Sequence, residues 1–462
     1  MAIIKAYTLP HPPLAVPSVG KGRESKEIEK TLNAMDKVAI EIATIAPDTI
    51  IFITPHSTVY SDYFHISPGE AARGDLGRFG APEEVFETDY NVELVREIIR
   101  VAEKNNIHAG TQGERDRKLD HGVTVPMWHI NRRYSDYKSI RISQSGMSPV
   151  EHYMLGQVIA EAVRNMGRKT VLIASSDLSH KLSADGPYGF APEGPEFDKE
   201  IIEALEKSKF LTLLEVSDEL RERAGECGYN SLIILAGCFD KMDVESKVLS
   251  YEGPLGVGYA VVEFNPEESK ESMSVLEVYL EKVRNETGNM REKEDEYQAL
   301  ARRSLEHMVS TGEEISLPSD LSTELISKRS GVFVSVHMNG RLRGCVGTIS
   351  PTTTSVANEI IQNAISAGLS DNRFEPVKKS QLPYLTYKVD VLAKPEPISD
   401  SSQLDVKRYG VIVTSGNKRG LLLPNLDGID TIEEQIDIAM RKAGISKGEK
   451  VKLERFEVIR HG

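Results

Sequence analysis

Three histidines in the first half of the chain follow short apolar runs of β-branched residues. His11, His56 and His180 each come within a few residues of the end of such a run, in LPHPP, ITPHS and ASSDLSH. Open α/β sheets bind their ligands outside the carboxyl ends of the strands, so we expect these three side chains to converge on one site. A single histidine in such a loop is usually bonded to a loop carbonyl, but three at successive strand ends favour a metal site, since imidazole is a common metal ligand.

The segment RAGECGYNS offers a third ligand for this site. Glu226 and Cys227 stand in it just before a predicted helix. Two histidines and a carboxylate form the facial triad of non-haem Fe(II) sites, whereas a thiolate favours zinc, copper or a redox-sensitive iron. Glu226 has a second interpretation, as a charge that the dipole of the following helix stabilises. The residues alone leave the choice of ligand open.

The elements that must position these residues alternate along the first part of the chain. Apolar, β-branched runs predict strands at residues 2–8, 49–54, 139–143, 170–175 and 258–264. Helical spacing of apolar residues predicts helices at 24–46, 91–105, 150–166, 195–207 and 228–239. Alternation of this kind is typical of an α/β domain in which a layered sheet carries flanking helices.

Composition limits the classes of function. Lys and Arg number 56 and Asp and Glu number 70, so the net charge is 56 − 70 = −14, which disfavours binding to nucleic acid or to an anionic membrane surface. Three cysteines are too few for a disulfide framework and suggest a reducing compartment. The chain has no apolar run long enough to span a bilayer and does not begin like a signal peptide, so we expect a cytoplasmic protein.

A change in character marks a second domain. Residues 265–290 are rich in charge and are predicted to be a connector that contains a solvated helix, between a domain at 1–264 and another at 291–462. In the second domain the patterns predict a helix near 297, strands at 331–338, 384–392 and 409–414, and helices at 355–367 and 431–443.

The first domain resembles the LigB-type class III extradiol ring-cleavage dioxygenases and their relative, the Memo family. The resemblance covers roughly residues 1–264 and depends on five motifs in order: LPHPP, TPHS, LDHGVTVPMW, SSDLSH and GECGYNS. It implies that His11 and His56 bind Fe(II) and that a carboxylate near position 226 completes the triad. It also implies that His180 is the active-site base and that His121 contacts the substrate or dioxygen.

The two branches of this resemblance differ at the third ligand. The Memo branch places a cysteine directly before the glycine, where Cys227 stands, whereas the dioxygenases place a glutamate close to that glycine. We favour Glu226, with Cys227 as the rival, because hard ferrous iron with oxygen substrates suits a carboxylate.

The function that this resemblance implies is Fe(II)-dependent extradiol cleavage. The expected substrates are a small aromatic diol or aminophenol and O2. The alternative is a Memo-like metal-binding or redox-regulatory protein that does not cleave rings, and a weaker third hypothesis is a zinc-dependent hydrolase on the same ligands. The sequence does not predict the oligomeric state, and an oligomer is possible.

The second domain resembles the AMMECR family, which implies a smaller α+β domain with a mostly antiparallel sheet and no particular reaction. The resemblance depends on RLRGCVGT, SDNRFEP and RGLLLPN. Cys345 is interpreted either as a nucleophile or, preferably, as a small buried strand residue, with His337 as the nearest possible base. Fusion of the two segments is similar to the AmmeMemoRadiSam set, which implies a radical-SAM pathway partner. The signature residues are Arg341, Arg343, Gly344, Cys345 and Gly347.

Overall fold

A computed structural model describes residues 3–20, 26–113, 118–268, 273–426 and 428–462. Within them the chain forms two compact units, Met1–Tyr279 and Leu280–Gly462. The division lies inside the segment 265–290 that the sequence predicts as a connector. Residue 2 of the first predicted strand, residues 24 and 25 of the first predicted helix, and residues 269–272 of the connector are outside the described residues.

A six-stranded sheet forms the centre of the first unit, with the strand order β7-β2-β8-β1-β10-β9. Its first four members are parallel, while β10 pairs antiparallel with both β1 and β9. Because the parallel strands run in one direction, their carboxyl ends meet at one edge of the sheet. The strands of this sheet are β1 (Ile3–Leu9), β2 (Thr49–Thr54), β7 (Lys138–Ser143), β8 (Thr170–Ser175), β9 (Met242–Glu252) and β10 (Tyr259–Glu268).

Helices cover both faces of this sheet. Phe52 and Ile173 pack with α1 and α3 on one face, and Ile51 and Leu172, which point the other way, are also fully buried. The central strands are therefore apolar throughout, as expected of a parallel sheet covered on both sides. The helices of this unit are α1 (Glu29–Ile45), α2 (Val92–Lys104), α3 (His121–Asn131), α4 (Pro149–Met166), α5 (Glu193–Glu206), α6 (Phe210–Glu215), α7 (Asp218–Ala224) and α8 (Tyr229–Cys238).

The layered α/β architecture predicted from the sequence is confirmed, and the structure adds elements that the sequence did not predict. These are the pair β3 (Phe64–His65) and β6 (Ala109–Gly110), the hairpin of β4 (Ala71–Leu76) and β5 (Ala81–Asp89), the strand β9, and the helices α3, α6 and α7. Helix α3 contains Pro126 and has Gly122 as its second residue, both of which disfavour a helix by local propensity.

The second unit contains two four-stranded sheets, and every pairing within them is antiparallel. The predicted α+β class is therefore confirmed, with two sheets instead of one. One sheet has the order β12-β11-β13-β18 and the other β14-β17-β15-β16. The strands are β11 (Val332–Met338), β12 (Arg341–Gly347), β13 (Leu385–Leu392), β14 (Glu396–Ile398), β15 (Gly410–Ser415), β16 (Lys418–Leu422), β17 (Lys452–Phe456) and β18 (Val458–His461).

Helices α10 and α12 pack on the first of these sheets and α13 on the second. A further helix, α9, spans the division between the units: Asp240 accepts hydrogen bonds from Ser274 and Val275 at its start, and Arg291 at its end bonds Glu306. No helix among the described residues is both long and apolar enough to cross a membrane. The remaining helices are α9 (Val275–Arg291), α10 (Glu296–Thr311), α11 (Thr323–Ser327), α12 (Val356–Leu369) and α13 (Ile432–Lys442).

Candidate metal centre

The register of the parallel strands aligns the loops that carry the predicted histidines. Leu9 at the end of β1 lies opposite Ser175 at the end of β8, and the penultimate residue of β2, Ile53, lies opposite Ala174. His11 and His56 each stand two residues beyond the last residue of their strand. Both imidazoles therefore reach the same edge of the sheet, from the loops that follow the two strands on either side of β8.

His11 is buried, with 1% of its surface exposed, and its orientation is fixed by two hydrogen bonds. Its Nδ1 lies 2.8 Å from the Ser175 hydroxyl, and its backbone N–H donates to a carboxylate oxygen of Asp177 at 2.8 Å. When Nδ1 carries the proton and donates to Ser175, the lone pair of Nε2 points into the site. This is the arrangement that a metal-binding imidazole needs.

Three ligand atoms face one another at the strand ends. His11 Nε2 is 3.0 Å from His56 Nε2 and 3.6 Å from Cys227 Sγ, and all three atoms lie within 4.8 Å of one another. For an ion with tetrahedral angles and bonds of about 2.05 Å to nitrogen and about 2.3 Å to sulfur, such atoms would be about 3.3 Å and about 3.6 Å apart. The spacing therefore fits one transition-metal ion.

The start of helix α8 decides which residue of the Glu226–Cys227 pair reaches the histidines. Glu226 accepts the backbone N–H of Tyr229 at 2.7 Å and the guanidinium of Arg221 at 3.3 Å, which places it at the helix N-terminus. Cys227 is held by Gln144, whose amide donates to the cysteine carbonyl at 3.0 Å. The geometry thus brings Cys227 to the two histidines. Glu226 instead lies at the N-terminus of helix α8, which is the second interpretation that the sequence allowed for it.

His121, the first residue of α3, stacks against His56 with ring centroids 4.1 Å apart and approaches His11 at 5.4 Å. The preceding Asp120 accepts a hydrogen bond at 2.6 Å from the hydroxyl of Thr54, the last residue of β2. A Cβ at Gly122 would lie 2.3 Å from this hydroxyl oxygen, so only glycine lets the helix start this close to the strand.

His180 lies in the loop after β8, where its backbone N–H donates to the carbonyl of Ala224 at 3.2 Å. Its Nε2 is buried without a hydrogen-bond partner among the described residues. Its charge would interact with those of His11 and His56, so it lies within electrostatic range of both imidazoles. The structure therefore gathers His121 and His180 around the candidate site, and their contact with a substrate stays a prediction of the resemblance.

Burial keeps every imidazole of the site neutral near pH 7. Burial, together with a smaller effect of the neighbouring His56, lowers the pKa of His121 to about 3 and that of His180 to about 4. The pKa of His11 falls well below its usual value for the same reason, with further contributions from the other histidines. Neutral imidazoles are able to donate a lone pair to a metal ion or to accept a proton.

The pKa values of the acidic groups beside the histidines are shifted in the opposite direction. Burial raises the pKa of the Cys227 thiol well above its usual value, with Asp177 and Glu226 adding to the effect, and raises that of Asp177 to about 7. A buried thiolate therefore needs a positive charge nearby, which a bound metal ion would supply. The donor set and its electrostatics both fit a metal ion.

Two residues of the site were missed by reasoning from the sequence. One carboxylate oxygen of Asp177 accepts a hydrogen bond from the backbone N–H of His11. Its other carboxylate oxygen lies 3.7 Å from His11 Nε2. Ser175 orients the same ring. Both precede His180 in the motif SSDLSH, so an acid and a hydroxyl directly after a buried strand were the available signal.

Comparison with known families agrees with these arrangements. The family model described as the catalytic LigB subunit of aromatic ring-opening dioxygenase matches residues 5–262, more than half of the 462-residue chain. The chain belongs to the LigB family. The AMMECR1 family model matches residues 298–461, so a LigB domain and an AMMECR1 domain are fused in one chain, as the sequence predicted.

Similar proteins occur in bacteria and archaea. A protein of Clostridium acetobutylicum is 41% identical and is matched over 100% of this chain and 99% of its own length. A protein of Thermotoga maritima is 45% identical over 36% of this chain and 98% of its own length. The names of these relatives state no activity, so the chemistry of the LigB domain has to be argued from its site.

Two solved structures of uncharacterized proteins are also similar. The one from Pyrococcus horikoshii has 32% identity and a TM-score of 0.33, and covers 36% of this chain and 88% of its own. The one from Escherichia coli K12 has 15% identity and a TM-score of 0.39, and covers 56% of this chain and 99% of its own.

The signature of the AMMECR1 domain lies on strand β12, which extends from Arg341 to Gly347. A Cβ at Gly344 would lie 1.9 Å from a backbone oxygen of α12, so glycine is required for the strand and helix to pack. Arg343 donates to the Gln381 side chain at 3.2 Å.

Cys345 in this signature is only partly buried. Its cross-strand neighbour is Ser335, whose hydroxyl lies 3.2 Å from its sulfur, while His337 pairs with Leu342. The pairing of His337 with Cys345 considered from the sequence is therefore absent from the strand register.

Proposed function

We propose that the LigB domain binds one redox-active transition-metal ion through His11, His56 and Cys227 and functions as a metal-dependent redox protein. The observation that supports this is the approach of Cys227 Sγ to His11 Nε2 at 3.6 Å, with His56 Nε2 at 3.0 Å from the same atom. A thiolate with two imidazoles is a softer donor set than the facial triad and suits iron or copper that changes oxidation state. This is the Memo-like alternative of the sequence analysis.

The residues around the ligands prepare the site for such an ion. Ser175 is placed to accept a hydrogen bond from His11 Nδ1, which would leave the Nε2 lone pair exposed, and the buried surroundings keep His11 and His56 neutral and able to donate lone pairs. The ion, when bound, would supply electron transfer and an open coordination position. The chain's own contribution is to orient the ligands and to hold Cys227 where its sulfur faces them.

Metal titration under anaerobic conditions tests this proposal. Fe(II), Cu(I) and Zn(II) are added to the metal-free full-length protein, and affinity is measured by competition with a chromophoric chelator. We expect a single site per chain that Cys227→Ser weakens at least tenfold and that Glu226→Gln leaves within about twofold. Equal weakening by both variants, or by neither, would contradict ligation by Cys227.

Fe(II)-dependent cleavage of a catechol-like ring is the second candidate. Its support is the position of His121 and His180 beside the ligands, both neutral at pH 7. His180 Nε2 could accept a proton from a substrate hydroxyl, and His121 could donate a hydrogen bond to bound oxygen.

An oxygen electrode separates the two candidates. Iron-loaded protein is mixed with catechols, catechol carboxylates and aminophenols, and ring-opened products are followed by absorbance. Oxygen uptake that His180→Ala abolishes without loss of iron would establish ring cleavage. If iron-replete protein takes up no oxygen, ring cleavage is excluded and the redox role remains.

A further inference from the structure

Two exposed aromatic side chains contact His121 and His180, the two histidines of the site that are not proposed as metal ligands. Phe79, 37% exposed, lies at the tip of the β4–β5 hairpin with its ring 5.2 Å from that of His121. Tyr188, 58% exposed, lies in the loop after β8 with its ring 5.0 Å from that of His180. The two rings come from separate segments of the chain and approach the same centre.

The turns that carry these rings are held by backbone hydrogen bonds. At the hairpin tip, the Gly77 N–H donates to Asp75 at 2.8 Å, and Gly80, with φ +85°, returns its N–H to Gly77. These hydrogen bonds hold the turn. Phe79 therefore stays at the surface, although a position in the core would remove more of its apolar area from water.

The loop of Tyr188 is tied down in a similar way. Leu182 donates its N–H to Gly256 at 3.1 Å, and Ala191 donates to Lys181 at 3.1 Å, which closes the loop at its base. Within it, the Gly189 N–H donates to Gly186 at 3.2 Å. The exposed tyrosine ring is thus presented by an ordered loop.

The segments around the histidines contain buried polar atoms that are incompletely bonded. Ser57 Oγ, Asp120 Oδ2, Ser176 Oγ and His180 Nε2 are buried and have no hydrogen-bond partner among the described residues. All four belong to segments that directly adjoin the histidines of the centre. Buried polar atoms of this kind normally have a partner, so their concentration here favours a ligand with polar substituents at its inner end.

We propose that Phe79 and Tyr188 are the substrate-selecting residues of this centre. They contact the apolar face of a planar ring, while the polar substituents of that ring point inward to the unbonded donors and acceptors. The inference rests on the proposed function, since it names the class of molecule that the same centre accepts. Aromatic rings prefer offset or edge contacts with other rings, which is what two rigid exposed rings offer.

Fluorescence titration with 2,3-dihydroxynaphthalene tests this assignment on full-length protein, with and without metal. We expect Phe79→Leu and Tyr188→Leu each to weaken binding about threefold to tenfold, in line with the loss of one aromatic contact. Tyr188→Phe should retain wild-type affinity, because the ring makes the contact. Phe190→Ala is the matched control: Phe190 is 56% exposed in the same loop but has no ring contact with a histidine of the site among the described residues.

The two forms of the protein separate this inference from the proposed function. If metal titration fails but the metal-free protein binds the probe and the two leucine variants weaken it, the ring-binding role stands and the metal role falls. Wild-type affinity in both leucine variants, equal weakening by Phe190→Ala, or no binding of the probe by wild-type protein would overturn the assignment of Phe79 and Tyr188.

Discussion

Ser175 is the residue on which the orientation of His11 depends. Its hydroxyl is the hydrogen-bond partner of His11 Nδ1 at 2.8 Å, and it ends strand β8. Partners of this kind fix the tautomer of a ligand imidazole, and their removal typically lowers metal affinity 10- to 100-fold. We therefore expect Ser175→Ala to weaken metal binding about tenfold, measured by chelator competition.

A matched control exists at the end of another parallel strand of the same sheet. Ser143 is the last residue of β7, and its hydroxyl is buried without a hydrogen-bond partner among the described residues. Ser143→Ala should leave metal affinity unchanged. Equal losses in the two variants would mean that the hydroxyl of Ser175 acts through packing alone.

At the residue scale, the sequence carries more information about where the histidines lie than about which residue of the Glu226–Cys227 pair faces them. His11 and His56 follow strands, and parallel strands deliver their following residues to one edge of the sheet. Glu226 and Cys227 are adjacent, so their directions depend on where helix α8 begins. Glu226 bonds the N–H of Tyr229, a tertiary detail that no local pattern contains.

Two glycines set how closely helices α4 and α8 pack. A Cβ at Gly156 would lie 2.1 Å from the carbonyl oxygen of Ile234, and one at Gly237 would lie 2.0 Å from that of Tyr153. Each glycine thus admits the backbone of the opposite helix. Because Cys227 stands just before α8, this packing also determines where its sulfur lies.

Gly237→Ala should therefore destabilise the LigB domain by about 1–3 kcal/mol, as overpacking of a filled interior does. It should also lower metal affinity by displacing α8. Urea unfolding and chelator competition measure the two effects. Gly288 in α9 is a helical glycine with no atom within 4 Å of an added Cβ, so Gly288→Ala is the control and should be neutral or slightly stabilising. A neutral Gly237→Ala would show that the two helices can separate freely.

Asp198 on α5 connects the loop of His180 to strand β9. It accepts the N–H of Ser179 at 2.7 Å and the hydroxyl of Tyr251 at 2.8 Å. Burial raises its pKa from 3.8 to about 7, against the lowering effect of these two bonds. Between these values the folded protein holds a proton that the unfolded chain has released.

The contribution of Asp198 to stability is therefore full below about pH 4 and is lost as the pH rises through about 7, at no more than about 1.4 kcal/mol per pH unit. Asp198→Asn keeps an acceptor for Ser179 and cannot ionise. In urea unfolding between pH 4 and pH 7.5, we expect the free energy of unfolding of the variant to fall less than that of wild type. Parallel pH profiles would mean that this carboxyl is ionised in the folded protein throughout.

At the scale of elements, the spacing of apolar residues predicted the strands and helices in which that spacing is most regular. The five predicted strands and five predicted helices of the first unit correspond to elements that pack their apolar residues in its core. The hairpin β4–β5 was missed because its alternate residues are exposed and charged, as in RGDL and PEEVFETD. Phe79, which the further inference depends on, lies in the turn of that hairpin.

The two units have separate hydrophobic cores. One core joins α1 and α3 to the central sheet of the LigB domain, and others join α10, α12 and α13 to the two sheets of the AMMECR1 domain. We expect fragments 1–291 and 292–462, which leave α9 and α10 uncut, each to unfold cooperatively in a thermal melt followed by circular dichroism.

Metal should remain with the first of these fragments. Fragment 1–291 contains His11, His56 and Cys227, so its metal stoichiometry and affinity should equal those of the full chain, while 292–462 should bind none. Loss of the site from 1–291, with its fold intact by circular dichroism, would mean that the AMMECR1 domain supplies a necessary part.

The position of β1 in the sheet has a consequence for biosynthesis. This strand precedes both of its neighbours in the sheet by a long stretch of chain, since β8 begins at Thr170 and β10 begins at Tyr259. A nascent chain consequently has no partner for β1 until β8 has been translated, and it lacks the second partner, β10, until more than half of the 462 residues have been translated. Cys227 follows His11 by 216 residues, so the proposed ligand set is complete only after most of the LigB domain has been synthesised.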